Sequence, residues 1–173
     1  MQDTFTTLRG LLNGKRVTVE NSAFRLHDIG LEMQVAHHIP IYLATTRPSA
    51  FRLAGAHADG VIIGDVSDPA VMATIIGWLE EGALQAGRTL ADIDVLAWVS
   101  TVVTTDPDGI RERLRRRVVA TALAAMSRVT RGLLGVDEAQ IPQIMAARRD
   151  AAGPDSPDAI PDSLVDKVTL VGD

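Results

Sequence analysis

The sequence predicts an α/β fold in which parallel strands alternate with covering helices. Three observations carry that prediction. Short apolar runs recur at Ile41-Tyr42-Leu43-Ala44, at Val61-Ile62-Ile63 and across the β-branched stretch 93–103. Between them, apolar residues fall at helical spacing, and Gly, Asp and Pro stand where those helices should start and stop. Strands apolar on both faces are the kind buried beneath helices in parallel sheets. The pattern alone leaves two architectures open, a doubly wound open sheet and a barrel.

Taken in order, residues 3–12 place Phe5, Leu8, Leu11 and Leu12 on one helical face, and Asn13-Gly14 ends the helix. Val17-Thr18-Val19-Glu20 and Ala23-Phe24-Arg25-Leu26 flank Asn21-Ser22, which reads as a small β-hairpin. Residues 28–38 read as an irregular connection. The first buried strand is 41–44, followed by the turn Thr45-Thr46-Arg47-Pro48 and a helix capped by Ser49 and running to about residue 56. The second strand, 61–63, follows Asp59-Gly60 and ends at Gly64-Asp65. Ser67-Asp68-Pro69 then opens an amphipathic helix to residue 86, closed by Gly87. Residues 93–103 form the third strand, and Asp106-Pro107 opens a further helix near residue 108. Residues 120–147 read as helical with a break near Gly132 or Gly135. Residues 152–161, with Gly153, Pro154, Pro157 and Pro161, read as a loop, and 164–171 as the start of another element. No fixed-period repeat accompanies the alternation.

Composition narrows the function. With 46% hydrophobic and 23% charged residues the chain is an ordinary globular one, and at 173 residues it can bury a core. A net charge of −5 gives no general attraction to nucleic acid or anionic membrane. No cysteine is present, so disulfides, thiolate metal sites and a cysteine nucleophile are excluded together. Aromatic residues make up 3%, too few for a site built on ring stacking. The apolar runs are strand-sized and no basic leader precedes them, so the expectation is a soluble, cytoplasmic protein.

In parallel α/β folds ligands bind at the carboxyl ends of the strands. Three such ends are legible. At Thr45-Thr46-Arg47-Pro48, hydroxyls, a cation and a helix start together suit a phosphate or other anion, or else form a capped turn with a solvated arginine. At Ile63-Gly64-Asp65 the glycine permits close approach of a ligand and equally serves a turn. Asp59 reads as a loop brace. At Thr104-Thr105-Asp106-Pro107 an N-cap precedes a helical proline. His37-His38 lacks a third ligand at suitable spacing and reads as a loop pair, so no metal is expected. Arg111, Arg113, Arg115, Arg116 and Arg117 spread around a helix among acids, which suits a solvated face or subunit contact. No P-loop, GxSxG, HExxH or GxGxxG pattern occurs, and no catalytic residue can be named.

The wider arrangement resembles the bacterial luciferase-like superfamily. The likeness rests on Leu8-Arg9-Gly10-Leu11-Leu12-Asn13-Gly14 through Val17-Thr18-Val19-Glu20 to Phe24-Arg25-Leu26, on Ile39-Pro40-Ile41-Tyr42-Leu43-Ala44, and on Ala58-Asp59-Gly60-Val61-Ile62. It continues at Glu81-Gly82-Ala83, Ala86-Gly87-Arg88 and Asp92-Ile93-Asp94-Val95, covering residues 5–105 well. It is most similar to the methylenetetrahydromethanopterin-reductase-like branch, which uses the deazaflavin coenzyme F420. The resemblance implies a partial (β/α)8 TIM barrel as one domain, 1–173. Residues 1–38 would form a helix plus hairpin insertion, 39–151 β/α units of strands five to seven, and 152–173 a loop and truncated tail. The first four strands and the eighth would be absent.

It further implies an oxidoreductase moving hydride between F420, or FMN as the alternative, and a small organic substrate. Ala44, Thr45, Thr46, Arg47, Gly60, Ile63 and Gly64 would help hold the cofactor's phosphate-bearing tail. The family often has Gly-Pro-Lys at this turn, where Thr46-Arg47-Pro48-Ser49 stands here. A full-length protein would be a homodimer, and this chain alone would be inactive. The competing expectations are a non-catalytic partial barrel and a sugar-phosphate or nucleotide enzyme on another α/β fold.

Overall fold

The computed structural model describes residues 1–33, 35–114, 120–142, 144–145, 160 and 162–172. Helix α1 (Gln2–Leu12) leads through Gly14, at φ 72°, to the antiparallel pair β1 (Val17–Glu20) and β2 (Arg25–Ile29). The hairpin turn is made by Asn21, whose Oδ1 accepts the N–H groups of Ala23 and Phe24 at 2.8 and 3.0 Å. That side-chain turn occupies residues 21–24, so β2 begins two residues later than the sequence suggests.

The parallel core follows as β3 (Tyr42–Thr45), α2 (Pro48–His57), β4 (Gly60–Gly64), α3 (Pro69–Gln85), a 3-10 turn at Leu90–Asp92 and β5 (Asp94–Trp98). The strands pair in the order β3-β4-β5, with Tyr42 beside Gly60 and Gly60 beside Asp94. Residues in register point the same way, so one face carries Leu43, Val61, Ile63 and Val95 toward the helices. Val61 and Ile63 are fully buried there with Phe51, Ala54, Ile75 and Leu79. Asp68 caps α3, accepting from the N–H groups of Ala70 and Val71, and Gly87 at φ 69° follows its end.

Two expectations need correction. The third strand is not continuous: it divides at Val99 into β5 and β6 (Ser100–Val103). The reason lies in its neighbours. Beyond Gly64 the chain of β4 turns away at Asp65, whose N–H makes the last bond to Trp98 O at 2.8 Å, so residues 100–103 must find another partner. They pair in parallel with β7 (Thr169–Gly172), which follows α7 (Asp162–Val168). A further parallel strand therefore occupies Thr169–Gly172, in the segment that the sequence reads only as the start of another element. Thr104 N–H extends the ladder to Gly172 O, and Ser67 N–H and Oγ tie the start of α3 to the α7–β7 segment.

Helices α4 (Pro107–Leu114), α5 (Ala120–Ala125) and α6 (Arg128–Leu133) follow β6 in the chain. Asp106 accepts the Gly109 N–H at the start of α4, as its position before a helical proline suggests. The backbone of Arg111 and Arg113 is helical, whereas residues 115–117 and the loop at 152–159 lie outside the described residues. Among the described residues no helix is long and apolar enough to cross a membrane, and no cluster of His, Asp or Glu is arranged to hold a metal.

At the amino end of the sheet Asp59 braces three segments. Its carboxylate takes the Ile41 N–H at 2.6 Å, pairs with the Arg9 guanidinium, and has His38 Nε2 at 3.5 Å. Partial burial works to raise its pKa, but the Arg9 hydrogen bond, the Ile41 N–H and the charges of Arg9 and His38 hold it below the ordinary carboxylate value. A depressed native pKa contributes stability that is present above the unfolded value of about 3.9 and is lost as pH falls through the native one. Asp59→Asn is expected to cost about 1–2 kcal/mol at neutral pH. Urea unfolding should show the gap closing toward pH 3; a gap of equal size at both pH values refutes the ion-pair account.

Candidate functional site

The carboxyl ends of β3, β4 and β5 open onto a cavity of about 460 Å³, within the range of small-molecule sites. Its walls include Ala44, Thr45, Thr46 and Arg47 from the β3–α2 turn and Ile62, Gly64 and Asp65 from β4. Trp98 closes one side from the end of β5, and Ala122, Ala125 and Met126 another from the α5 region. Most of the surface is apolar, with polar groups converging at the strand ends.

The turn itself is built by local hydrogen bonds. Arg47 is the N-cap of α2, with extended backbone (φ −104°, ψ 133°), and Pro48 occupies the first helical position, where its missing N–H costs nothing. Ser49 therefore lies inside the helix rather than capping it. Thr45 Oγ1 accepts the Arg47 N–H at 3.2 Å, which tightens the turn. Among the described residues the Arg47 guanidinium has no partner, and it is exposed at the cavity mouth.

Thr46 is committed elsewhere. Its hydroxyl accepts the Ser127 N–H at 2.9 Å and reaches Ala125 O at 3.3 Å. Its carbonyl accepts Ser127 Oγ at 2.8 Å and the Thr130 hydroxyl. Ser127 also caps α6 through the Thr130 N–H. Thr130 is buried and Thr46 and Ser127 are half-buried, so this lock between the β3–α2 turn and the α5–α6 connection is partly withdrawn from water.

Of the seven residues expected to hold a cofactor tail, Ala44, Thr45, Thr46, Arg47 and Gly64 share the cavity, and Gly60 and Ile63 do not line it. Gly60 begins β4 at the far end of the sheet. A Cβ there would lie 2.2 Å from the Tyr42 ring, whose hydroxyl donates to Asp94 at 2.5 Å, so the glycine makes room for that ring. Ile63 points into the helix-covered core at 1% exposure. At Gly64 a Cβ would meet nothing within 4 Å, consistent with open space beside the strand end.

Sequence reasoning missed Asp65 as a wall of the site, together with Trp98 and the α5 residues. Trp98 is 71% exposed, yet along the chain it sits in the middle of one β-branched stretch, and only the break at Val99 turns it into a strand end. Ala122, Ala125 and Met126 arrive from far along the chain, and no local spacing signals that. Asp65 adopts φ 55°, a left-handed conformation that Asp tolerates better than most residues. Burial pushes its carboxyl pKa up.

The luciferase-like monooxygenase family model matches residues 1–173. This chain belongs to that family. Among curated relatives, the F420-dependent glucose-6-phosphate dehydrogenase of Microbacterium testaceum is 31% identical over 116 residues, 66% of this chain and 34% of that protein. The 5,10-methylenetetrahydromethanopterin reductase of Methanopyrus kandleri is 33% identical over 109 residues, 63% of this chain and 31% of its own. Among solved structures, the coenzyme F420-dependent tetrahydromethanopterin reductase from Methanopyrus kandleri superposes with a TM-score of 0.74 at 24% identity, covering 95% of this chain and 50% of that one. An F420-dependent secondary alcohol dehydrogenase, solved with an F420-acetone adduct, gives 0.72 at 16% identity over 98% and 47%. These two likenesses establish a shared α/β fold with parallel strands. The chain spans about a third of the length of those curated relatives and about half of those solved structures.

Proposed function

We propose that the protein carrying this chain is an F420-dependent oxidoreductase, with FMN as the alternative cofactor and a small organic molecule as substrate. In this reading the parallel strands β3 to β7 belong to a (β/α)8 barrel. The single observation that carries the cofactor assignment is the cavity at the carboxyl ends of β3, β4 and β5. It joins an unpartnered arginine and a helix start to an apolar wall. That donor set fits the phosphate-bearing tail of such a cofactor: Arg47 supplies charge, the first turn of α2 supplies its dipole, and Gly64 leaves space. The volume suits part of the cofactor rather than the whole. Gly60 and Ile63 take no part.

When bound, the deazaflavin ring supplies hydride chemistry. The residues of this chain bind and orient: Arg47 offsets the anion's charge, Thr45 holds the Arg47 backbone, and Trp98 and Met126 wall off two sides. Titration of the full-length protein with F420 and with FMN, followed by fluorescence, tests the reading, and binding of neither sinks it. Arg47→Met is expected to weaken F420 about tenfold, the scale of one charge-assisted hydrogen bond. Riboflavin, which lacks the phosphate, should bind parent and variant alike.

A second reading, a non-catalytic partial barrel, is favoured by the sheet face opposite the helices. Leu96 there is 45% exposed, and Val103 and Leu170 on β6 and β7 are 81% and 51% exposed. A monomeric, cofactor-free 173-residue protein in light scattering and absorbance would favour it.

A further inference from the structure

We propose that Asp65 is a specificity-determining residue of this cavity, accepting hydrogen bonds from the hydroxyl groups of the ligand's polyol chain while Arg47 takes its phosphate. The assignment rests on the cofactor reading above and gives that site an orientation.

Three features of Asp65 converge. It lines the cavity at the end of β4, and among the described residues its carboxylate meets no hydrogen-bond donor. Its backbone is left-handed, at φ 55°, a conformation that glycine adopts without strain and that any side chain makes costlier. Its N–H is held to Trp98 O at 2.8 Å, so the carboxylate is carried on a fixed point of the sheet rather than on a mobile loop. A half-buried, unpartnered acceptor held on a rigid strand end is complementary to donors that arrive with a ligand.

The charge sets which donors. A phosphate against Asp65 would place two anions together in a partly apolar cavity, which is unfavourable. Neutral hydroxyl groups offer the hydrogen atoms the carboxylate lacks, and a hydrogen bond to a charged group is among the stronger ones. The cavity is thus polarised, with cation and helix start at the β3 end and an acceptor at the β4 end. A ligand carrying a phosphate at the end of a hydroxylated chain matches both.

The test uses Asp65→Gly and Asp65→Asn in the full-length protein, both compatible with a left-handed backbone. Affinities are measured by fluorescence for F420 and for its dephosphorylated core, which keeps the deazaflavin ring and ribityl chain. Asp65→Gly is expected to weaken both ligands by the same factor, about tenfold, and Asp65→Asn, which retains one acceptor oxygen, by about threefold. If Asp65 were only a bystander charge, its removal would tighten F420, so unchanged or tighter binding overturns the assignment. A loss confined to F420 also overturns it, because the contact would then lie at the phosphate. Should Asp65→Gly fail to fold, Asp65→Asn decides by the same signs. A parent protein that binds neither ligand overturns the cofactor reading and this assignment with it; a parent that binds while the variants match it overturns only the assignment.

Discussion

Replacing Gly82 by Ala is expected to destabilise the protein by about 3 kcal/mol, the upper part of the range for forcing extra volume into a packed interface. Gly82 and Gly55 sit where α2 and α3 cross. A Cβ on Gly82 would lie 1.9 Å from the Arg52 carbonyl oxygen, and one on Gly55 would lie 2.0 Å from that of Leu79. The obstacles are backbone atoms, which cannot swing aside as a side-chain tip can. The helices must separate, pulling Phe51, Ile75 and Leu79 out of contact with Val61 and Ile63. Against this stands a gain of about 1 kcal/mol, because alanine is the better helix former. The clash outweighs that gain. Gly77→Ala in the same helix supplies the control: its Cβ meets nothing within 4 Å, so that variant should be neutral or slightly stabilised. Urea unfolding of the two variants against the parent decides the matter, and equal effects at the two positions would falsify the packing account.

The second large effect is expected from unlocking the turn that carries Arg47. Ser127→Ala removes the cap of α6 and the bond to Thr46 O, about 1 kcal/mol each. Thr130→Val keeps the shape of a buried residue but deletes its hydroxyl, leaving the Thr46 carbonyl without its remaining side-chain donor. Together the two substitutions should cost about 3 kcal/mol, and they should also loosen residues 45–47. Two measurements separate the consequences. Thermal unfolding reads the stability loss, and amide hydrogen exchange at Arg47, whose N–H is held by Thr45 Oγ1, reads the local opening. A loss of stability with unchanged exchange at Arg47 would show that the lock does not hold the turn. If the cofactor reading is right, F420 affinity falls in the double variant by more than the Arg47→Met loss, since backbone and side chain are displaced together.

The same lock shows where sequence reading stops. Thr45-Thr46-Arg47-Pro48 announces a strand-to-helix turn by composition, and the turn is there. Its two threonines look equivalent along the chain. Only in three dimensions does Thr45 turn inward on the turn while Thr46 is drawn to Ser127 and Thr130, some 80 residues away. Gly60 and Gly64 are alike in the same way. Both flank a buried strand, but one makes room for the Tyr42 ring at the amino end and the other faces open space at the carboxyl end. Strand polarity is what assigns them to opposite ends.

What the sequence by itself determined was the order of the α-helices and strands from α1 to β5, the proline start of α3 and the bracing part played by Asp59. Each follows from local rules: the 3.6 and 2.0 residue periods, the fixed φ of proline at a helix start, the φ freedom of glycine. The superfamily was legible too, because the order of several weak motifs carries information that no single one does. The break at Val99, the pairing of β6 with β7 and the cavity walls at Asp65, Trp98 and Met126 were decided by the tertiary structure alone. Those features depend on which distant segments supply hydrogen bonds and volume at a given point, and a one-dimensional spacing does not encode that.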